Sequence, residues 1–252
     1  MIKAPVIMVH GAFCGGWAFD RFREPFEAAG HPCLTPDLRG RGGSASAGLS
    51  MGDYAADIEA LIRAQKTAPI LIGHSLGGLV AQMAAANAPV RGLILLAPSA
   101  PWGVSGGSVE EAISAVSLYA LGAYWLQAIE PDYATARNYS LDRLDRPARK
   151  AIFARMVPES GRALWETLNW WMDPFMTTSV SPSRMAAPVL AVAGGQDRVH
   201  PPATVKQTAE RLGGDALVFP EMSHWLVEEP GWDQVAEACL EWIRQHAALT
   251  AA

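Results

Sequence analysis

Ile72-Gly73-His74-Ser75-Leu76-Gly77-Gly78 lies between an apolar, strand-like run over 69–72 and a helix-like run over 79–87. A Gly-x-Ser-x-Gly at a strand-to-helix turn holds its serine in a strained backbone conformation that projects the hydroxyl out of the turn. Gly73 and Gly77 are required there because a Cβ at either position would collide with the neighbouring strand or helix. A free serine hydroxyl is a poor nucleophile, so this reading requires a histidine and an acid elsewhere in the chain. Without them, Ser75 is only an N-cap for the following helix.

Both partners are present. After the apolar run Val189-Leu190-Ala191-Val192-Ala193 comes Gly194-Gly195-Gln196-Asp197-Arg198-Val199-His200-Pro201. After Ala216-Leu217-Val218-Phe219 comes Pro220-Glu221-Met222-Ser223-His224-Trp225. Ser75, Asp197 and His224 therefore each follow an expected parallel strand, at the end where open α/β sheets place their active sites.

The rest of the chain supports an α/β class. Its 252 residues suit one domain, or a core with an inserted subdomain, and 50% hydrophobic against 18% charged residues supply a substantial core. Strands are expected near 6–10, 32–35, 70–73, 92–97, 189–193 and 216–219, several apolar throughout, as in strands covered on both faces. Helical patterns lie near 17–29, 51–65, 75–87, 203–212 and 232–246. In the last, Trp232, Val235, Cys239 and Trp242 form one apolar face. Between Trp102 and Arg184 there is no convincing strand, and a helical period appears at Ile113, Val116, Ala120 and Tyr124. The expected division is a core of 1–101 with 185–252 and a helical cap of 102–184 lying over the serine. Junctions are expected at 98–107 and 177–188.

A net charge of −5 gives no reason to expect nucleic acid, and no basic block points to an anionic membrane. Cys14, Cys33 and Cys239 are odd in number and lack ligand spacing, which favours reduced thiols and a cytoplasmic setting. Residues 1–10 lack the basic region and long apolar stretch of a signal peptide, and no segment reaches a membrane span. No metal-ligand cluster stands out and no cofactor is expected.

Together these motifs resemble the α/β-hydrolase superfamily in its cap-bearing serine esterase branch, over residues 5–100 and 185–246. His10-Gly11-Ala12-Phe13-Cys14-Gly15-Gly16-Trp17 is similar to the His-Gly loop of plant-type methylesterases and many bacterial esterases. Asp37-Leu38-Arg39-Gly40-Arg41-Gly42-Gly43-Ser44 resembles the family's Asp-x-Arg-Gly-x-Gly-x-Ser turn, with Arg41 where histidine is commoner. The resemblance implies a mainly parallel sheet of about six strands flanked by helices.

It also implies roles. Ser75 would be the nucleophile, His224 the general base, and Asp197 the acid that orients and stabilises the imidazolium. Asp197 as a mere turn and cap residue is the plainer alternative. No Asp or Glu closely follows the strand near 92–97, where some relatives carry the acid. His200 is the rival base, but it lies three residues from the acid and in the family's variable position. His10 would orient its loop, His74 would point away from Ser75, and His31 and His246 would be solvated. Asp37 and Asp53 read as turn and helix-cap residues. The oxyanion donors would be the N–H groups of Leu76 and Ala12, with Phe13 as the fallback. Phe13, Trp102, Trp125, Trp171 and Trp225 are the candidate pocket residues, although most insertion aromatics also read as packed core.

The implied activity is hydrolysis of a small or medium hydrophobic ester, a small-molecule substrate. A carbon–carbon bond hydrolase or a lactonase would use the same triad, and a receptor-like member would bind with little turnover. Haloalkane dehalogenases and epoxide hydrolases need a carboxylate where Ser75 stands, and a plant-type hydroxynitrile lyase normally has Thr where Gly11 stands.

Overall fold

The computed structural model describes residues 3–41, 47–105 and 118–247. Its central sheet has six strands: β1 (Val6–Val9), β2 (Cys33–Leu34), β3 (Ile70–His74), β4 (Gly92–Leu96), β7 (Val189–Gly194) and β8 (Asp215–Phe219). They run in the order β2-β1-β3-β4-β7-β8, and every pairing is parallel.

Residues alternate between two cores because successive side chains in a strand point to opposite faces. Ile7, Val9, Leu71, Leu93, Leu95 and Ala191 pack with α2 (Met51–Arg63), α3 (Leu76–Ala85) and α6 (Pro202–Leu212). Val6, Met8, Ile70, Ile72, Ile94, Leu96 and Val192 pack on the other side with α7 (Trp232–Ala247) and with Phe19, Phe22 and Phe26, the last of these in α1 (Glu24–Ala28). Covered on both faces, β1, β3, β4 and β7 are buried along their length and apolar apart from His74 at the end of β3. On α7, Val235, Cys239 and Trp242 are buried and Trp232 packs partly against the same core. Ser50 and Asp53 close a reciprocal capping box at the start of α2.

Three expectations change. The stretch 17–29 is a 3₁₀ turn, Gly16–Phe19, followed by the separate α1, because Pro25 suits the first turn of a helix and not its interior. Residues between β4 and β7 do contain strands: β5 (Ala128–Ile129) pairs antiparallel with β6 (Glu159–Ser160). Two residues each are too short to leave a period in sequence. The described helices of this stretch are short, chiefly α4 (Arg146–Phe153) and α5 (Gly161–Leu168), with Ala120 in a turn and Tyr124 in a 3₁₀ turn. Ile113, Val116, the end of the 98–107 junction and Gly42-Gly43-Ser44 lie outside the described residues. Among the described residues no helix is long and apolar enough to cross a membrane.

Two buried carboxylates tie this inserted stretch to the sheet side. Glu166 accepts the Met51 N–H at 2.7 Å and the Ser50 hydroxyl at 2.9 Å, at the positive end of α2. Glu159 is fully buried and accepts from the Tyr54 hydroxyl at 2.7 Å, the Ser160 N–H at 2.8 Å and the Phe13 N–H at 3.2 Å. Arg41 forms an ion pair with it and also donates to the Pro158 carbonyl at 3.1 Å.

Candidate active site

Ser75 sits between β3 and α3 at φ 53°, ψ −125°, a left-handed conformation costly for a residue with a side chain. The surroundings enforce it. A Cβ on Gly73 would lie 2.4 Å from the Gly77 carbonyl oxygen, and one on Gly77 would lie 2.2 Å from that of His10. The Ser75 side chain does not cap α3. Its hydroxyl donates instead to His224 Nε2, at 3.0 Å.

His224 Nδ1 donates to Asp197 Oδ2 at 2.9 Å. The other Asp197 oxygen accepts the N–H groups of Val199 at 2.8 Å and His200 at 2.9 Å, so the turn that forms around Asp197 also aims its carboxylate. Both side chains are buried. Burial disfavours charge on His224, but the Asp197 carboxylate outweighs it and raises the imidazole above its ordinary pKa. Burial pushes Asp197 up, and His224 with the backbone donors more than reverses this, leaving it below the usual carboxylate value.

The other histidines are occupied elsewhere. His74 donates through Nε2 to the His224 carbonyl at 2.9 Å, and burial together with the His224 charge lowers its pKa to about 3. It therefore braces the His224 backbone as a neutral ring. His10 donates from Nδ1 to the Gly11 carbonyl at 2.9 Å and accepts the Leu38 N–H at Nε2, at 3.0 Å. That links its loop to the Asp37 turn, where Asp37 also accepts the Gly16 N–H at 2.7 Å. His200 contacts Ser99 rather than Ser75, with 3.0 Å between Nε2 and Oγ. His31 is buried against the Ala4 carbonyl at 2.8 Å, contrary to the solvated position expected from its place at an element end. His246 is partly exposed and stacks on Trp242.

Around Ser75, the Leu76 and Ala12 amides have no hydrogen-bond partner among the described residues. The Phe13 amide does have one, Glu159, and Phe13 itself adopts φ 62°. Ala12 rather than Phe13 is thus the amide left available beside Leu76.

Ser75, His224 and Ser99 open into a cavity of about 670 Å³. One side is formed by Gly11 to Cys14, Val199, His200 and Trp225, the other by residues of the inserted stretch. Of the five expected pocket residues, Phe13 and Trp225 line it; Trp102, Trp125 and Trp171 do not. Trp102 packs edge-on against Trp170, Trp125 packs on Tyr124 and Trp165, and Trp171 is 61% exposed. On the side of the inserted stretch the apolar wall is chiefly aliphatic: Leu118, Leu121, Ile129, Met156, Leu164 and Leu168. Nothing in the sequence separates these from ordinary core aliphatics, whereas tryptophans stand out by rarity alone.

Glu229, absent from the sequence reading, sits behind His224. It is buried and its Oε1 accepts the Ser223 N–H at 2.6 Å, holding the loop that carries His224. Burial, reinforced by Asp142 and Asp197, pushes its pKa from 4.5 up to about 7. A carboxyl raised on folding stabilises the fold fully below the unfolded value and loses that contribution as pH rises through the folded one. Between pH 5 and pH 7.5 the urea midpoint of the wild type is therefore expected to fall relative to that of Glu229→Gln, a difference in slope that leaves out the buried histidines both proteins share. An unchanged slope in the variant would assign the effect to other groups.

Comparison with known proteins agrees with this geometry. The model of the alpha/beta hydrolase family matches residues 6–238. The pimeloyl-[acyl-carrier protein] methyl ester esterase of Neisseria meningitidis is 31% identical over 226 residues, covering 86% of this chain and 83% of that protein. Methylesterase 3 of Arabidopsis thaliana is 33% identical over 101 residues, a match spanning 35% of this chain and only 36% of that protein. Among solved structures, an esterase from Exiguobacterium antarcticum superposes with a TM-score of 0.75 at 19% identity, covering 96% of this chain and 92% of that one. Parallel sheet, serine turn and sequence match together place this chain in the alpha/beta hydrolase family, as a hydrolase of the esterase type.

Proposed function

We propose that this protein hydrolyses small or medium hydrophobic carboxylic esters through an acyl-enzyme on Ser75. The carrying observation is the continuous Ser75–His224–Asp197 hydrogen-bond line opening into a largely apolar cavity. His224 Nε2 takes the Ser75 proton as Oγ attacks the ester carbonyl, and the Leu76 and Ala12 amides receive the developing oxyanion. Collapse breaks the bond to the alkoxy group, which leaves with the proton from His224. Water, deprotonated by the same ring, then releases the acid and restores Ser75. Asp197 stabilises the transient imidazolium.

The inserted stretch, 102–184, serves as the cap, because its aliphatic side chains close the cavity over Ser75. Esterase relatives support the choice of an ester. Three free thiols support a reducing, cytoplasmic setting.

The test is hydrolysis of p-nitrophenyl esters of increasing acyl length across pH. Since the base must be neutral, kcat/KM should rise with pH, with a midpoint above the ordinary histidine value of 6.5. Asp197→Asn should lower kcat by about 10⁴ and move the midpoint down, because the charge that favours the imidazolium is gone. Folded wild-type protein that turns over no ester would exclude this reading in favour of carbon–carbon cleavage, lactone cleavage or simple binding.

A further inference from the structure

The cavity contains a second serine–histidine pair that this reaction does not use. Ser99 Oγ and His200 Nε2 are 3.0 Å apart, and both residues line the same cavity as Ser75. They are 3% and 5% exposed, so their polar atoms face the cavity or each other rather than bulk water.

Each member is anchored to the reacting groups. The Ser99 N–H donates to the Ser75 carbonyl at 3.0 Å, and the Ser99 carbonyl accepts from Gln82 Nε2 at 3.2 Å. The His200 N–H donates to Asp197 Oδ1 at 2.9 Å, and the His200 ring centre is 5.3 Å from that of His224.

This pair is not a second triad. The nearest acid, Asp197, gives its other oxygen to His224 Nδ1, so no carboxylate supports His200. Burial and the His224 charge hold His200 at about 4, a neutral ring under ordinary conditions. With the ring hydrogen on Nδ1, Nε2 is the acceptor that faces Ser99. Ser99 must then donate its hydroxyl hydrogen to His200, and what it can still offer a substrate is an oxygen lone pair.

A lone pair in an apolar cavity selects a donor. A hydroxyl satisfies it and costs little to desolvate beside an aliphatic wall. Thr167, also in the lining, is spent on the Ala163 carbonyl at 2.8 Å. The Ser99 backbone is bonded to that of Ser75 and both side chains open into the same cavity, so a donor held by Ser99 is placed on the Ser75 side of that cavity.

We propose that Ser99, oriented by His200, is a specificity-determining residue that selects esters carrying a hydroxyl on the carbon beside the reacting carbonyl. This rests on the ester-hydrolase reading above and narrows it to 2-hydroxy esters.

The test compares kcat/KM for methyl 2-hydroxyhexanoate and methyl hexanoate by acid release, in wild type, Ser99→Ala and Ser99→Thr. Wild type is expected to prefer the hydroxy ester. The ratio of the two values should fall about tenfold in Ser99→Ala, the worth of one hydrogen bond, whatever factor both rates share. Ser99→Thr, which keeps the hydroxyl, should retain the preference. A general structural role would change both rates together and leave the ratio alone. A wild-type ratio of one or less, or a ratio unchanged in Ser99→Ala, with both esters turned over, overturns the role of Ser99 alone. Hydrolysis of neither ester by wild type overturns it together with the ester-hydrolase reading.

Discussion

Replacing Ser75 with alanine is expected to lower kcat on a p-nitrophenyl ester by about six powers of ten while leaving the fold intact. The hydroxyl is half of the bond to His224, and no other described side chain lies within hydrogen-bond distance of that ring nitrogen. His224→Ala should cost nearly as much, because a serine without a base remains protonated. The two losses should not add, since both remove the same acyl-transfer step. His200→Ala is the discriminating variant. Its ring meets Ser99 and not Ser75, so its effect on kcat should be far smaller. Near-normal activity in His224→Ala with loss in His200→Ala would transfer the base to His200.

The second large effect concerns stability. Glu159→Ala is expected to destabilise the protein by about 3–5 kcal/mol, read from the urea midpoint at neutral pH. The carboxylate is fully buried and its Arg41 partner is nearly so, with 3% of that side chain exposed. Removing one partner strands a buried charge, and it also leaves the Tyr54 hydroxyl and the Phe13 amide without an acceptor. Replacing both members, Arg41→Met with Glu159→Met, should recover much of the loss, because the stranded charge disappears. Equal destabilisation of the single and double variants would mean that the polar partners, rather than the ion pair, carry the cost. The Phe13 contact extends the consequence to the site. Its amide stands next to the proposed Ala12 oxyanion donor, so esterase activity should fall along with stability.

This ion pair also accounts for the departure of Arg41 from the histidine commoner in its motif. The guanidinium reaches an acid 118 positions away in the chain. A motif viewed alone shows only that position 41 is unusual.

What could be read in the sequence follows from how local each cause is. The strands at 70–74 and 92–96 show as apolar runs because both faces are covered. The Ser75 turn shows because its close backbone approaches admit only glycine at 73 and 77. Asp197 and His224 show because each directly follows a strand of that sheet. Order along the chain thus determined the class of fold and nominated three side chains that do meet. Tertiary structure decided the rest. It gave the inserted stretch's side of the cavity to Leu, Ile and Met rather than to that stretch's tryptophans, placed Ser99 beside His200, and put Glu229 behind the His224 loop. Those outcomes depend on which face of an irregular insertion, built of short elements, turns inward and on contacts between distant segments. Such contacts leave no period or spacing in sequence, because their energy comes from burial and pairing that exist only once the chain has closed on itself.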